Sequence, residues 1–331
     1  MSRNCHCNAA GLSHNEPKSP GKTPRMTRLA HVQRVKKRCP PQTDPRRSVP
    51  VRIVQITDTH LSPIKPHFNR NWEPLVAWID QQKPDLIIHT GDLTVDGADV
   101  EADLLFCRAC LNELPARVLT LPGNHDIGHL PESHQPVNAQ RLMRWRRHIG
   151  PDRWAENFGN WRIIGLNSLI IGSGEAEEAE QFQWLEDELN NSDGKPVAVF
   201  AHKPLFVDDP DEGDSGYWGI RPAPRQRLYD LFAQYNVQLH ASGHLHRAWS
   251  GDAFGTNYVW APAAAFIVGP MERDLPGERI LGAAIHDLGE VATNSIVRID
   301  ELTPYVIDDV VHEVYPHHTG DGEKATEEAS Q

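Results

Sequence analysis

Between residues 51 and 242, short apolar runs alternate with longer amphipathic stretches, and five of the short runs stop abruptly at Asp, Asn or His. Residues 51–56 lead into Thr57-Asp58-Thr59-His60, and residues 86–89 into Gly91-Asp92. Residues 117–121 lead into Pro122-Gly123-Asn124-His125-Asp126. Residues 197–201 end at His202, and residues 237–242 at Gly243-His244-Leu245-His246. Apolar runs this short, bounded by turn residues, predict buried strands. The spans 72–82, 100–114, 138–148, 179–189 and 225–235 read as helices. In the fourth of these, Phe182, Leu185 and Leu189 fall on one face. Residues 161–167 add another strand.

The last third changes character. Residues 249–261, 279–286 and 292–299 read as successive strands separated by turn residues. Alternating strands and helices followed by a run of strands predict an α/β fold, with parallel strands completed by antiparallel ones. In open α/β sheets, the loops beyond the strand C-termini build the functional site. Five strand ends converging there would gather Asp58, Asp92, Asn124, His202 and His244 into one pocket. Asp58 and His60 are two residues apart, as are His244 and His246. In extended backbone that spacing puts both side chains of a pair on one side, so each pair can chelate from a single strand end. Alone, a strand-terminal Asp is most often a turn residue and a lone His a satisfied polar group; it is the repetition that points to a metal site.

Charge divides the chain. Of the net −12 over 331 residues, eleven Lys/Arg against two Asp/Glu put residues 1–48 at +9, leaving −21 for residues 49–331. The first 48 residues lack hydrophobic periodicity and read as a disordered basic tail, residues 49–316 as one domain, and residues 317–331 as a disordered acidic tail. An acidic body argues against extended contact with nucleic-acid backbones, which need clustered positive charge. The cysteines (Cys5, Cys7, Cys39, Cys107 and Cys110) make no disulfide framework in a chain this long. Cys107 and Cys110 form a C-x-x-C inside an apolar helical stretch and are expected as buried thiols. Cys5-His6-Cys7 lies in the tail, and a metal role there carries less weight. No apolar run is long enough for a membrane span and no secretory signal is evident, so a cytoplasmic protein is expected.

Taken together, Asp58-Thr59-His60, Gly91-Asp92, Gly123-Asn124-His125-Asp126, His202 and Gly243-His244-Leu245-His246 resemble the signature of the calcineurin-like metallophosphoesterases over about residues 51–247. The resemblance implies a four-layer α/β/β/α sandwich of two mixed sheets with a binuclear metal centre. Asp58, His60 and His246 would hold one ion, Asn124, His202 and His244 the other, with Asp92 bridging. His125 would act on the substrate without binding metal, and Asp126 would orient it. Imidazole and carboxylate donors suit Mn, Fe or Zn. Two such ions ease deprotonation of a shared water, giving hydroxide for in-line attack at phosphorus. Two divalent ions, two carboxylates and one hydroxide leave a formal +1, which favours an anionic substrate despite the acidic body.

Relatives that act as protein phosphatases carry Asp-Arg-Gly just after Gly-Asp, whereas here Gly91-Asp92-Leu93-Thr94 has no Arg. The Gly-Asp-Leu-Thr and Gly-His-Leu-His forms resemble the class III cyclic-nucleotide and glycerophosphodiester phosphodiesterases. A small phosphodiester is therefore the expected substrate, with a phosphomonoesterase or nucleotidase, or an inactive scaffold, as alternatives. A homodimer is left open. Specificity is expected from two inserts, residues 128–137 and 208–224. In the first, His129 and His134 are read as solvated loop residues that alternatively line the pocket. In the second, Tyr217 and Trp218 either stack on a base or pack inward, and Arg221 or Arg225 would meet a phosphate. His89 and His240 are taken as strand residues near the site.

Overall fold

The computed structural model describes residues 50–271 and 273–316. The tails expected at 1–48 and 317–331, with Cys5, His6, Cys7 and Cys39, lie outside the described residues. The chain enters through β1 (Val51–Ile56), the 3-10 turn Pro66–Asn71, α1 (Trp72–Gln82), β2 (Leu86–His89), α2 (Glu101–Leu111) and β3 (Val118–Thr120). It continues through α3 (Asn124–Ile127), α4 (Ala139–His148), β4 (Trp154–Phe158), β5 (Trp161–Leu166), α5 (Ala176–Asn190) and β6 (Val197–Ala201). Then come α6 (Pro222–Gln234), β7 (Val237–Ser242), β8 (Trp249–Ala253), β9 (Thr256–Trp260) and β10 (Phe266–Ile267). The end is formed by β11 (Gly282–Leu288), β12 (Ala292–Arg298), β13 (Tyr305–Val306) and α7 (Val311–Val314).

Two mixed sheets result. One runs β12-β11-β1-β2-β3 and the other β4-β5-β6-β7-β9-β8, with β10 and β13 pairing separately. β1, β2 and β3 are parallel to one another, as are β5, β6, β7 and β9; β11, β12, β4 and β8 close the edges antiparallel. The period-2 alternation of strand side chains sets the layers. Ile53, Leu86, Ile88, Ala198, Phe200, Leu239 and Ala241 meet between the sheets. Val54, Ile56 and Ile87 turn outward onto α1, α2 and α4 through Leu75, Ile79, Leu104, Leu142 and Trp145. Val197, Val199 and Val237 turn the other way, onto Phe182, Leu185, Leu228 and Phe232 of α5 and α6. The α/β/β/α order follows from these three apolar interfaces.

Helix bounds differ from expectation mostly at the ends. The span 100–114 is helical only over Glu101–Leu111, and 225–235 begins earlier because Pro222 suits the first helical turn. The span 249–261 is a hairpin, turned at Phe254 and Gly255 with φ of 50° and 83°. Positive φ at both central residues matches the twist of the flanking strands. β4 was not expected: Trp-Ala-Glu-Asn-Phe is a half-exposed edge strand with no apolar run to announce it. Cys107 and Cys110 are buried free thiols on α2, as expected, and Cys107 Sγ donates to Leu93 O at 3.2 Å. No helix among the described residues is long and apolar enough to cross a membrane.

One buried side chain ties the sheets together where the site begins. Gln55 of β1 donates through Nε2 to Thr90 Oγ1 beyond β2 at 2.9 Å and to Ser242 O of β7 at 3.1 Å. A neutral amide can span two sheets because each of its protons finds an oxygen. The loops after β1, β2 and β7 therefore start from one fixed point.

Candidate metal centre

Asp58, His60, Asp92, Asn124, His202, His244 and His246 are all buried, within one cluster at the C-terminal ends of β1, β2, β3, β6 and β7. Asp58, His60 and His246 offer donor atoms lying within 4.8 Å of one another, and so do Asp92, His202 and His244. A third set, His60, Asp92 and His125, links the two. Asn124 joins the second set, its Oδ1 standing 3.1 Å from His202 Nε2.

Close backbone approach makes this convergence possible. At Gly123 a Cβ would run into the Asp92 carboxylate and backbone N, and at Gly243 into Thr57 Oγ1. Glycine at these two positions lets the loops after β3 and β7 sit against those after β2 and β1. His125 N donates to Asp92 Oδ1 at 2.8 Å, and His244 N to Asp58 Oδ2 at 3.1 Å. Asp126 locks the same loop. Its oxygens accept from Leu93 N, Thr94 N, Gly123 N and Thr94 Oγ1 at 3.1, 3.0, 2.9 and 2.6 Å. These partners are the loop backbone and Thr94, and none is the His125 ring that Asp126 was expected to orient. Burial pushes the Asp126 carboxyl up to about 7, with the nearby Asp92 charge adding to it.

The second ring nitrogen of each histidine identifies the nitrogen left for a cation. His202 Nδ1 lies 2.9 Å from Thr90 O, His244 Nε2 3.0 Å from Tyr217 O, and His246 Nδ1 2.8 Å from Phe266 O. Since a carbonyl only accepts, each of those nitrogens carries its proton and donates, leaving the other nitrogen as the one that takes a cation or, in its absence, a second proton. The nitrogens left for a cation face the carboxylates: His246 Nε2 is 3.3 Å from Asp58 Oδ1 and His202 Nε2 3.3 Å from Asp92 Oδ2. His244 Nδ1 and His202 Nε2 face each other at 3.1 Å. Two lone pairs that close are compatible only when a cation or proton lies on their shared side. Asp58 Oδ1 and His60 Nε2 are buried without a hydrogen-bond partner, a state that is costly unless something else coordinates them.

The electrostatics point the same way. Burial alone would lower His202, but the adjacent Asp92 carboxylate, helped by Asp58 and Thr90 O, raises it to about 9. Burial holds His60 and His244 well below the ordinary imidazole range. Two carboxylates buried among mostly neutral imidazoles create a field that favours positive charge at the centre of the cluster. The donors present fit a pair of small divalent cations.

Several residues depart from the sequence reading. His129 is not a solvated loop residue: it is buried, stacked on Tyr217 with ring centroids 4.6 Å apart. Tyr217 faces the centre, and its Oη accepts from Asn124 Nδ2 at 3.1 Å. Trp218 instead packs against the apolar layer around α5 and α6. Arg225 is buried, with its guanidinium on the carbonyls of Glu212, Gly213 and Ile220, so it does not meet a phosphate. Arg221 pairs with Glu132. His240 lies on the α6 side of its sheet between Phe232 and Tyr258, whereas His89 Nε2 sits 2.9 Å from Thr59 Oγ1 beneath the loops. Lys203 was not singled out from the sequence. It is buried beside the centre, and burial, with the charge of Arg221, lowers its ammonium to about 7. Nothing in the sequence around Lys203 announced that burial.

A profile of the calcineurin-like phosphoesterase family matches residues 51–248. The chain belongs to this family, which makes it a metal-dependent phosphoester hydrolase. It is 31% identical over 214 residues to a probable glycerophosphodiester phosphodiesterase of Arcobacter nitrofigilis, covering 59% of this chain and 71% of that protein. It is 27% identical to the human serine/threonine-protein phosphatase CPPED1, covering 58% of this chain and 59% of that one. Against the 3',5'-cyclic adenosine monophosphate phosphodiesterase CpdA of Escherichia coli K12, identity is 31% over 46% of this chain and 54% of that one. The chain thus spans less than two thirds of the length of the last two proteins. Yellow lupin purple acid phosphatase PPD1 shares the fold, with a TM-score of 0.56 at 14% identity over 78% of this chain and 53% of that one.

Proposed function

We propose that the chain hydrolyses a small nucleotide or glycerol phosphodiester at a binuclear centre. In this reading Asp58, His60 and His246 hold one cation, Asn124, His202 and His244 hold the other, and Asp92 bridges them. The observation that carries it is the pair of buried donor triads linked through Asp92 and His60. The donor set, with no thiolate in it, suits Mn, Fe or Zn. Two cations bound there supply Lewis acidity and an activated water for in-line displacement at phosphorus.

The remaining work falls to side chains at the rim. His125 is half-buried, and its backbone is tied to Asp92. Burial lowers its imidazole below the ordinary range while the Asp92 carboxylate opposes that, and in its protonated form it can give a proton to the oxygen of the leaving alkoxide, the poor leaving group in diester hydrolysis. Tyr217, partly exposed at the mouth, is the aromatic group placed to meet the organic portion of a substrate. Similarity to the Arcobacter phosphodiesterase and absence of an Arg after Gly91-Asp92 support the diester over the monoester. The human protein phosphatase among the relatives favours the second reading, a phosphomonoesterase.

The two are separated by Mn²⁺-reconstituted hydrolysis of bis(4-nitrophenyl) phosphate and 4-nitrophenyl phosphate, with Asp92→Ala as control. Faster diester cleavage that disappears in the variant is the expected result. A monoester preference would transfer the assignment to the second reading. Turnover of neither, in protein that has taken up Mn²⁺, would remove both general phosphoesterase readings.

A further inference from the structure

Resting on the metal-centre reading above, we infer that Tyr315 is a positioning residue of the centre, delivered by the C-terminal segment. The family match ends at residue 248, so this contact comes from a part of the chain beyond it. Tyr315 Oη lies 2.8 Å from His60 Nδ1. His60 Nε2 faces Asp58 Oδ1 and Asp92 Oδ2, each at 3.9 Å, so a cation held there by Nε2 leaves Nδ1 to carry the proton and donate it to the tyrosine oxygen. That bond sets the rotation of the His60 ring, as the Thr90, Tyr217 and Phe266 carbonyls do for the other three histidines. The same ring packs on His125, with centroids 4.6 Å apart and planes at 34°. One side chain therefore fixes both a donor of the centre and the proposed general acid.

The segment that carries it is docked, not loose. Val314 is fully buried in a small apolar cluster with Phe68, Val95, Ala265, Phe266 and Ile307, separate from the three main layers. Lys65 Nζ donates to Val314 O at 2.6 Å, and His67 Nε2 pairs with Glu313 at 3.0 Å. Both straps come from the stretch just after Asp58-Thr59-His60, so the C-terminus and the first loop are held as one unit. Phe266, whose carbonyl holds His246, belongs to the same cluster. The last turn of the described chain is thereby built into the wall of the centre.

The test uses the full chain and two substitutions. Tyr315→Phe keeps the ring on His125 and removes the bond to His60; Tyr315→Ala removes both. Free Mn²⁺ is followed by electron paramagnetic resonance during titration of metal-free protein, and turnover is measured at saturating Mn²⁺. For Tyr315→Phe, one of two Mn²⁺ sites is expected to weaken by roughly 10-fold or more, with a loss of turnover at saturation smaller than in Tyr315→Ala. For Tyr315→Ala, the same weakening is expected together with a fall in turnover at saturation. A wild-type Mn²⁺ titration in both variants would overturn the inference while leaving the metal centre intact. Wild-type protein that binds no Mn²⁺ would overturn the metal-centre reading and this inference with it.

Discussion

Asp58, His60, Asp92, His244 and His246 all adopt left-handed backbone, with φ of 52°, 43°, 51°, 70° and 51°. For residues other than glycine that region is sparsely populated, and each such residue costs about 1–3 kcal/mol. The pairs Asp58 and His60, and His244 and His246, are therefore not extended as the sequence reading assumed, and the latter pair divides between the two donor groups, His246 joining Asp58 and His60 and His244 joining Asp92 and His202. The surrounding hydrogen bonds, such as Asp58 N to Gly91 O at 2.9 Å and His60 N to Asp92 O at 3.1 Å, hold the strained conformation in place. His125 differs in kind: it follows Asn124 on α3 and keeps ordinary helical backbone, with its ring packed at 5.0 Å from His60. The proposed role of His125 as a general acid rather than a metal donor predicts a separable effect. His125→Ala is expected to lose roughly 10²- to 10⁴-fold in turnover while keeping its full metal content, measured by elemental analysis of purified protein. Full turnover would take His125 out of the mechanism, and metal loss would make it a donor.

At the scale of elements, the strands aim and the loops finish. Parallel β1, β2 and β3 in one sheet and β6 and β7 in the other end on the same edge, so donors distant in sequence arrive within a few ångströms. The loop after β3 is the tightest of these joints. A Cβ at Gly123 has no room beside the Asp92 carboxylate, whereas one at Gly213, in the insert after β6, meets nothing within 4 Å. Gly123→Ala is therefore expected to displace Asp92, lowering stability by about 1–3 kcal/mol through overpacking and reducing bound metal. Gly213→Ala should leave both unchanged. Urea unfolding and metal content of the two variants check this, and equal behaviour would mean that the loops after β2 and β3 part more easily than their packing implies. The insert over 208–224 also proves more ordered in purpose than its Asp, Gly and Pro content suggested. Glu212 and Arg225 anchor it, and it delivers Tyr217 to the centre.

Over the whole molecule, three apolar interfaces stabilise the two sheets and their helices, and a few buried titratable groups make that stability depend on pH. His240 is the cleanest case away from the centre. It is buried with Nε2 unpartnered, and burial lowers its pKa to about 3. In the unfolded chain the same imidazole titrates near about 6.5. Its contribution to stability is therefore fully present above about pH 6.5 and is lost progressively as pH falls towards 3, because only the unfolded chain takes up the proton in that window. His240→Phe fills the same space between Phe232 and Tyr258 without titrating. The drop in Tm from pH 7 to pH 4.5, measured in EDTA to remove competition between protons and metal, should be smaller in the variant than in wild type. Parallel drops would show that the His240 environment admits the proton.

Much of this protein was readable from residues alone, for a physical reason. Buried parallel strands need continuous apolar runs, and those runs stop at Asp58, Asp92, Asn124, His202 and His244, with His60 and His246 two residues on, so the clustered residues announced themselves by position. The switch from alternating to consecutive strands announced parallel strands completed by antiparallel ones, whereas the four-layer order was legible only through the family resemblance. Tertiary structure decided what local pattern does not encode. The edge strand β4 has no apolar run, and the inward turn of Tyr217, the burial of His129 and Lys203 and the hydrogen bonding of Arg225 to backbone carbonyls depend on how the loops fold back. Tyr315 lies 255 residues from His60, in a short polar-flanked segment whose docking rests on a small cluster of its own. A contact between two chain segments that distant leaves no mark in either one, since its energy comes from packing that exists only once both sheets are in place.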